Sequence, residues 1–288
     1  MSSFHEKISS ALSNGSSRLC AGVDPPLHLD SEFLEKELAT TKPRAFLESY
    51  SRAIIDGSSS VTKFCKFQSA FFEARGNDGV AALETSICYA HSKNMFIVLD
   101  AKRGDISSTM EAYGHWAFDQ LKVDALTVSP WMGTDVFYAL AQWLKKDHGV
   151  FIVWFGSNTS SEEQFPREAT AQSETLNSHL FIWHQAFEKI GAPEAIGAVV
   201  GSNRVKNVKN ALWNYRGRIP ILMPGVGAQG GEINELIRKF LAQNPNTIIN
   251  VSRGLTISES NSTASIRSWA EFAAVIQKNA QIFAREFN

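Results

Sequence analysis

Eight short apolar segments alternate with longer segments of helical character along this chain of 288 residues. Most of the apolar segments are continuous rather than interrupted by polar residues, which favours strands covered on both faces. They lie at residues 19–24, 60–67, 95–102, 125–130, 150–157, 195–201, 219–225 and 247–253. Strands that alternate with helices predict a parallel sheet, because each helical crossover returns the chain to the same edge.

The intervening segments have the length and apolar spacing of crossover helices. One apolar stripe at helical spacing consists of Ile106, Met110, Tyr113, Ala117 and Leu121. The other predicted helices span 4–13, 31–38, 43–57, 78–93, 133–147, 171–190, 203–214, 230–243 and 264–284. Eight such units predict an α/β fold, a (β/α)8 TIM barrel with a short N-terminal helix. We expect residues 1–288 to form a single domain, with a candidate lid at 157–172.

Composition excludes several classes of function. The formal net charge is −1, so no general basic field would recruit nucleic acid or an anionic membrane. No apolar stretch has the length of a membrane span, and residues 1–7 lack the apolar core of a secretory leader. The three cysteines, Cys20, Cys65 and Cys88, have no metal-ligand spacing, and the histidines form no ligand set. We therefore expect a cytoplasmic protein with reduced thiols and no metal site.

Charged residues stand at the end of the third apolar segment. Residues 100–105 read Asp-Ala-Lys-Arg-Gly-Asp, directly after the apolar run 95–99. Because side chains alternate along a strand, we expect Asp100 and Lys102 to point the same way, with Asp105 just beyond the strand end. Charges at such a place add nothing to a core and normally mark a functional site, although a solvated turn would also carry them.

Polar residues recur at the ends of the other strands, which is where barrel enzymes place their active sites. The glycine-rich run 224–231 follows the seventh segment, and Arg253 follows the eighth. Glycine backbone N–H groups, the side chain of Gln229 and the guanidinium of Arg253 together predict a phosphate site. The remaining polar residues at strand ends are Asp24, Lys66, Gln68, Ser157 and Asn158.

The chemistry of Lys102 is open between nucleophile and acid. A Schiff-base lysine needs a depressed pKa, whereas nearby carboxylates of Asp100 and Asp105 would keep the ammonium charged and able to donate a proton. With Lys66, these groups would form an alternating Lys-Asp-Lys-Asp array. Such an array suits a reaction that loses a carboxylate and generates a carbanion, because fixed charges act where charge changes.

The motif at 100–109, Asp-Ala-Lys-Arg-Gly-Asp-Ile-Ser-Ser-Thr, closely resembles the signature of the orotidine 5′-phosphate decarboxylase family, in its D-A-K-R-G-D-I branch. Supporting similarities are Gly22-Val23-Asp24-Pro25, the run 66–73, Ser157-Asn158, the run 224–231 and Ser252-Arg253-Gly254. Two positions depart from the family pattern. Thr159 replaces a proline, and Ser202-Asn203-Arg204 replaces a more common Ala-Thr pair after the sixth strand.

The resemblance implies cofactor-independent decarboxylation of orotidine 5′-phosphate to UMP and CO2, the last step of de novo pyrimidine biosynthesis. It implies that Asp100 lies against the substrate carboxylate and that Lys102 protonates C6 of the pyrimidine. Lys66, bridging to Asp100, and Asp105 complete the catalytic residues that the resemblance implies. The substrate-binding residues that it implies are Asp24, Gln68, Ile106, Thr109, Ser157, Gln229, Arg253 and Gly254.

Individual binding roles also follow from the resemblance. Asp24 and Lys66 would bind ribose hydroxyls, and Ser157 would read the pyrimidine edge. The phosphate would be held by Gln229 and Arg253.

The resemblance implies a homodimer as well. In this family the second aspartate of the motif enters the active site of the neighbouring subunit, which assigns that role to Asp105. Thr109, four residues later on the same helix face, would also reach across.

Three alternative functions stay open at this point. The chain could be a Mg²⁺-dependent sugar-phosphate decarboxylase or aldolase on the same barrel, which a chelator would inhibit. It could be a Schiff-base aldolase, which borohydride would trap at Lys102. It could also be a catalytically silent nucleotide-binding barrel, although the presence of Asp100, Lys102 and Asp105 argues against lost catalysis.

Overall fold

Eight strands follow one another in sequence order around a closed barrel. The structure is a computed structural model that describes residues 2–27, 31–158, 174–208, 212, 215, 217–226, 233–256 and 266–287. The strands are β1 (Leu19–Val23), β2 (Phe64–Gln68), β3 (Phe96–Arg103), β4 (Ala125–Val128), β5 (Gly149–Phe155), β6 (Ile196–Val200), β7 (Ile221–Met223) and β8 (Thr247–Val251). The pairs with a described register, such as β1 with β2 and β5 with β6, are parallel. The predicted α/β barrel is therefore confirmed.

Helices follow the strands as the alternation predicts. The helices before β4 are α1 (Phe4–Ser13), α2 (Glu32–Thr40), α3 (Pro43–Ser58), α4 (Ser69–Glu73), α5 (Gly76–Ser92) and α6 (Ser107–Gly114). Those after β4 are α7 (Asp135–Tyr138), α8 (Ala141–Leu144), α9 (Glu174–Ile190), α10 (Val205–Val208), α11 (Glu235–Gln243), α12 (Arg253–Thr256) and α13 (Trp269–Phe287). The N-terminal helix begins with a capping box, in which Ser3 and Glu6 satisfy each other's backbone N–H groups.

Several of the predicted helices differ from those observed. The helix predicted at 203–214 starts as a 3-10 helix over Ser202–Arg204, and α10 begins at Val205. The single helix predicted at 133–147 is two short helices, α7 and α8. The apolar stripe that begins at Ile106 does not lie on one helix, because α6 ends at Gly114 and continues as a π-helix over His115–Gln120. Ile106 itself precedes α6 in an extended conformation and is exposed, so its predicted place on the buried stripe is wrong. Apart from Ser157 and Asn158, the candidate lid at 157–172 lies outside the described residues.

Two compact units make up the chain. The first comprises Met1–Asn14 with Lys102–Ile249, and the second comprises Gly15–Ala101 with Asn250–Asn288. In the first unit, Phe4 packs edge-on against Phe151, with 5.3 Å between the ring centroids. In the second unit, α3 packs against α13, and Tyr50 lies 5.6 Å from Phe272 between ring centroids.

All three cysteines are free thiols, with Cys20 and Cys65 buried and Cys88 exposed. No described helix combines the length and the apolar character that crossing a membrane requires.

Candidate active site

An ion-pair cluster lies in the second unit, where β1, β2 and β3 end, with Lys66 and Asp100 buried and Asp24 half-buried. The ammonium of Lys66 lies 3.3 Å from a carboxylate oxygen of Asp24 and 3.3 Å from a carboxylate oxygen of Asp100. Gln68 donates a hydrogen bond of 3.0 Å to the same oxygen of Asp100. The register of the strands explains the grouping, because Gln68 is paired with Asp100 and side chains two apart on a strand share a face.

The carboxylates decide the charge state of Lys66. Only 3% of Lys66 is exposed, and burial alone would lower the pKa of its ammonium. The neighbouring carboxylates of Asp24 and Asp100 outweigh this effect and raise the pKa above its ordinary value. Lys66 is therefore a fixed cation, and Asp100, 8% exposed, is held in a low-dielectric place beside it.

Two lysines, one just before β2 and one within it, differ in burial. Lys63 lies three residues before Lys66 and is exposed, whereas Lys66 is buried. This is the outcome of strand alternation, since residues three apart on a regular strand point to opposite faces.

A polar layer beside this cluster depends on the absence of a side chain at Gly22. A Cβ atom at Gly22 would lie 1.9 Å from the hydroxyl oxygen of Ser252 and 3.0 Å from the amide oxygen of Asn250. The amide nitrogen of Asn250 donates to the hydroxyl of Ser252 at 3.3 Å. The buried amide oxygen of Asn250 has no hydrogen-bond partner among the described residues.

Just after the eighth strand come Arg253, a predicted phosphate ligand, and Gly254, a predicted substrate-binding residue. Arg253 is the first residue of α12 and is exposed, and Gly254 follows it in a half-buried position. Gln229 and most of the glycine-rich run lie outside the described residues, which include only 224–226 of that run.

In the first unit, Lys102 sits in an unusual backbone conformation near the end of β3. Its φ of +46° lies in the left-handed region, so regular side-chain alternation ends there. Asp100 is buried and Lys102 is exposed, contrary to the expectation that both follow one regular strand face. The backbone N–H of Lys102 donates to the buried hydroxyl of Thr127 at 2.9 Å, which holds this conformation. The next residue, Arg103, places its guanidinium 5.0 Å above the ring of Tyr113.

The other predicted residues of the first unit lie at or just beyond strand ends. Asp105 is half-buried between β3 and α6, and its carboxylate accepts a 2.7 Å hydrogen bond from the backbone N–H of Ile106. Ile106 and Thr109 are exposed, the latter in the first turn of α6. Ser157 is half-buried two residues after β5.

Comparison with known proteins decides the family. Residues 17–268 match the family described as the orotidine 5′-phosphate decarboxylase / HUMPS family. The chain belongs to this family. The predicted resemblance is thereby confirmed over most of the sequence.

Individual relatives support the same assignment. An orotidine 5′-phosphate decarboxylase of Herpetosiphon aurantiacus is 33% identical over 284 residues, covering 97% of this chain and 96% of that protein. One from Roseiflexus castenholzii is 35% identical over 87% of each chain. Among solved structures, Leishmania donovani OMP decarboxylase superposes with a TM-score of 0.71 at 25% identity, covering 100% of this chain and 98% of that one.

Several residues around the candidate site escape sequence reasoning. Thr127 and Asn250 carry no motif, and only their polar character on apolar strands could have drawn attention to them. Asn203 and Arg204 were visible as a departure from the family pattern, but their contacts were not. In the described part of the chain, no group of three or more His, Cys, Asp or Glu side chains is arranged to hold a metal ion.

Proposed function

We infer that this chain is an enzyme that decarboxylates orotidine 5′-phosphate to UMP and CO2, at the end of pyrimidine biosynthesis. The observation that carries the inference is the Asp24–Lys66–Asp100 cluster in a chain of this family. We propose that the reaction uses neither a metal nor an organic cofactor, because charged side chains can themselves stabilise the transition state. We also propose that residues 1–288 act as one domain in the cytoplasm.

In the proposed reaction, Asp100 and Lys102, two residues apart in β3, have different roles. The bond between C6 and the carboxylate breaks, CO2 leaves, and the electron pair stays on C6. Asp100 disfavours the substrate carboxylate, while the ammonium of Lys102 stabilises the carbanion and then gives it a proton. Lys102 regains its proton from water. Lys66 keeps Asp100 ionised throughout, since its own charge is fixed.

The rest of the substrate is held by groups at other strand ends. We propose that Asp24 and Lys66 bind the ribose hydroxyls and that Ser157 reads the pyrimidine edge. Arg253, permanently charged and exposed, is suited to the phosphate. The further proposed substrate contacts are Gln68, Ile106, Thr109, Gln229 and Gly254.

A metal-free assay tests this function. We expect purified protein to convert orotidine 5′-phosphate to UMP at the same rate with and without excess EDTA, measured by the change in ultraviolet absorbance as the C6 carboxylate is lost. Inhibition by EDTA with rescue by Mg²⁺ would favour a metal-dependent sugar-phosphate enzyme. Borohydride trapping of Lys102 would favour a Schiff-base aldolase, and tight UMP binding without turnover a silent barrel.

We also propose a homodimer in which Asp105 of each chain completes the neighbouring active site. Asp105 lies beyond the strand end, followed by exposed Ile106 and Thr109, so this segment is available to a second copy. Closed two-fold symmetry would place both segments in reciprocal contact.

Mixing two inactive variants tests the shared site. A Lys102→Ala chain lacks the acid but still offers Asp105, while an Asp105→Ala chain retains Lys102. A heterodimer therefore contains one intact site, and random exchange of subunits should restore about a quarter of the wild-type activity. Each variant mixed with itself is the control. No gain on mixing, with subunit exchange verified by differently tagged chains, would place Asp105 in its own chain's site.

A further inference from the structure

The segment after β6 holds the backbone that leaves β5. The side-chain amide of Asn203 donates to the carbonyl of Ser157 at 2.9 Å, and the Arg204 guanidinium donates to the carbonyl of Asn158 at 2.8 Å. The backbone N–H of Gly201 donates to the carbonyl of Phe155 at 2.9 Å. The segment 201–204 therefore donates hydrogen bonds to three backbone carbonyls between Phe155, the last residue of β5, and Asn158.

The two segments approach each other closely, and a third one fixes them. A Cβ atom at Gly201 would lie 2.8 Å from the Cα of Ser157, so this contact requires glycine. The backbone N–H of Ser202 donates to the carbonyl of Pro224 at 2.9 Å, just after β7. The segment 201–204 is thus anchored to the end of β7 while it holds the end of β5.

Arg204 is an unusual residue for a contact of this kind. Only 5% of it is exposed, and burying a guanidinium is strongly unfavourable unless its N–H groups are hydrogen-bonded. A charged donor also makes a stronger hydrogen bond to a carbonyl than a neutral donor does. Asn203 and Arg204, at consecutive positions, therefore supply two side-chain donors to two consecutive carbonyls.

We propose that Asn203 and Arg204 are positioning residues that hold Ser157 at the pyrimidine edge of the substrate. The proposal rests on the function inferred above, in which Ser157 reads that edge. A serine hydroxyl can both donate and accept, but each hydrogen bond requires heavy atoms within a narrow range of distance. Asn203 and Arg204 fix the backbone carbonyls of Ser157 and Asn158. The Ser157 hydroxyl is therefore already in place for the base when the substrate binds, and no reorganisation is needed.

Ligands with and without the base test the proposal. We expect Asn203→Ala and Arg204→Met to weaken UMP binding by about 10-fold to 100-fold, measured by isothermal titration calorimetry. Binding of ribose 5-phosphate should stay unchanged, because it has no pyrimidine edge. The matched control is Lys206→Met, which removes an exposed cation two residues further on and should leave both affinities unchanged. If Arg204→Met does not fold, Asn203→Ala, at an exposed position, tests the proposal alone.

A double-mutant cycle shows whether the effect passes through Ser157. If it does, Ser157→Ala with Asn203→Ala should bind UMP no more weakly than Ser157→Ala alone. Additive losses, or equal losses for UMP and ribose 5-phosphate, would overturn the proposal. Turnover reports separately on the function: a wild type that binds UMP with this dependence but does not decarboxylate orotidine 5′-phosphate would refute only the activity.

Discussion

Replacing Lys102 with alanine should lower the turnover of orotidine 5′-phosphate by about 10⁴-fold or more. The variant loses both the proton donor for C6 and the cation that stabilises the developing carbanion. Folding should be preserved, because Lys102 is exposed and its backbone N–H keeps its bond to Thr127. Single-turnover measurement of UMP formation, together with the thermal unfolding midpoint, checks both expectations.

Lys122 provides a matched control for this substitution. It is also an exposed lysine of the first unit with a positive φ, +56° against +46° for Lys102. Lys122→Ala therefore reproduces the loss of charge and the alanine in a left-handed conformation, and it should keep wild-type turnover. If Lys102→Ala stayed within tenfold of the wild type, Lys102 would not be the acid.

The barrel was predictable because its strands are buried on both faces. Continuous apolar runs such as 95–99 can be recognised without knowledge of their neighbours, and β3 begins at Phe96 inside that run. Helix continuity was less predictable: the stripe after β3 has helical spacing throughout, yet α6 gives way to a π-helix after Gly114. Spacing alone does not distinguish the two hydrogen-bond patterns over a few residues.

The charged residues of the candidate site could be predicted from the sequence, but the contacts that position them could not. The pairing of Lys66 with Asp100 was predicted, whereas the ion pair of Lys66 with Asp24 is visible only in the structure. The left-handed conformation of Lys102 does not follow, because it depends on a hydroxyl from another strand, that of Thr127. The contacts of Arg204 are equally long-range, joining residues 46 apart in sequence. Such contacts exist only once neighbouring strands have paired.

Removing the cation from the buried cluster should destabilise the fold through charge. Lys66→Met leaves the carboxylates of Asp24 and Asp100 without their shared partner, and we expect a loss of about 3–5 kcal/mol in the free energy of unfolding near neutral pH. Urea denaturation measures it. Lys63→Met is the matched control, because Lys63 is exposed and lies directly before the same strand. This substitution should change the free energy of unfolding by less than about 0.5 kcal/mol.

The pH dependence separates charge from packing. In the wild type, the raised pKa of Lys66 stabilises the fold fully below the ordinary lysine value of 10.5, and this stabilisation is lost only as the pH rises through the higher folded value. Between about pH 7 and pH 5 this group therefore adds no slope. In Lys66→Met, the like charges of Asp24 and Asp100 repel each other without a cation between them. The folded state then takes up protons first as the pH falls, so the loss of stability should shrink towards about pH 5.

A second substitution in the same background makes the test specific. Lys66→Met with Asp100→Asn removes one of the two repelling charges, so part of the lost stability should return, and the slope with pH should flatten. A loss that is identical at both pH values and unaffected by Asp100→Asn would mean that Lys66 contributes by filling space with its methylene groups. In that case the cluster would not be an electrostatic unit, and the proposed role of Lys66 in keeping Asp100 ionised beside the substrate would fail with it.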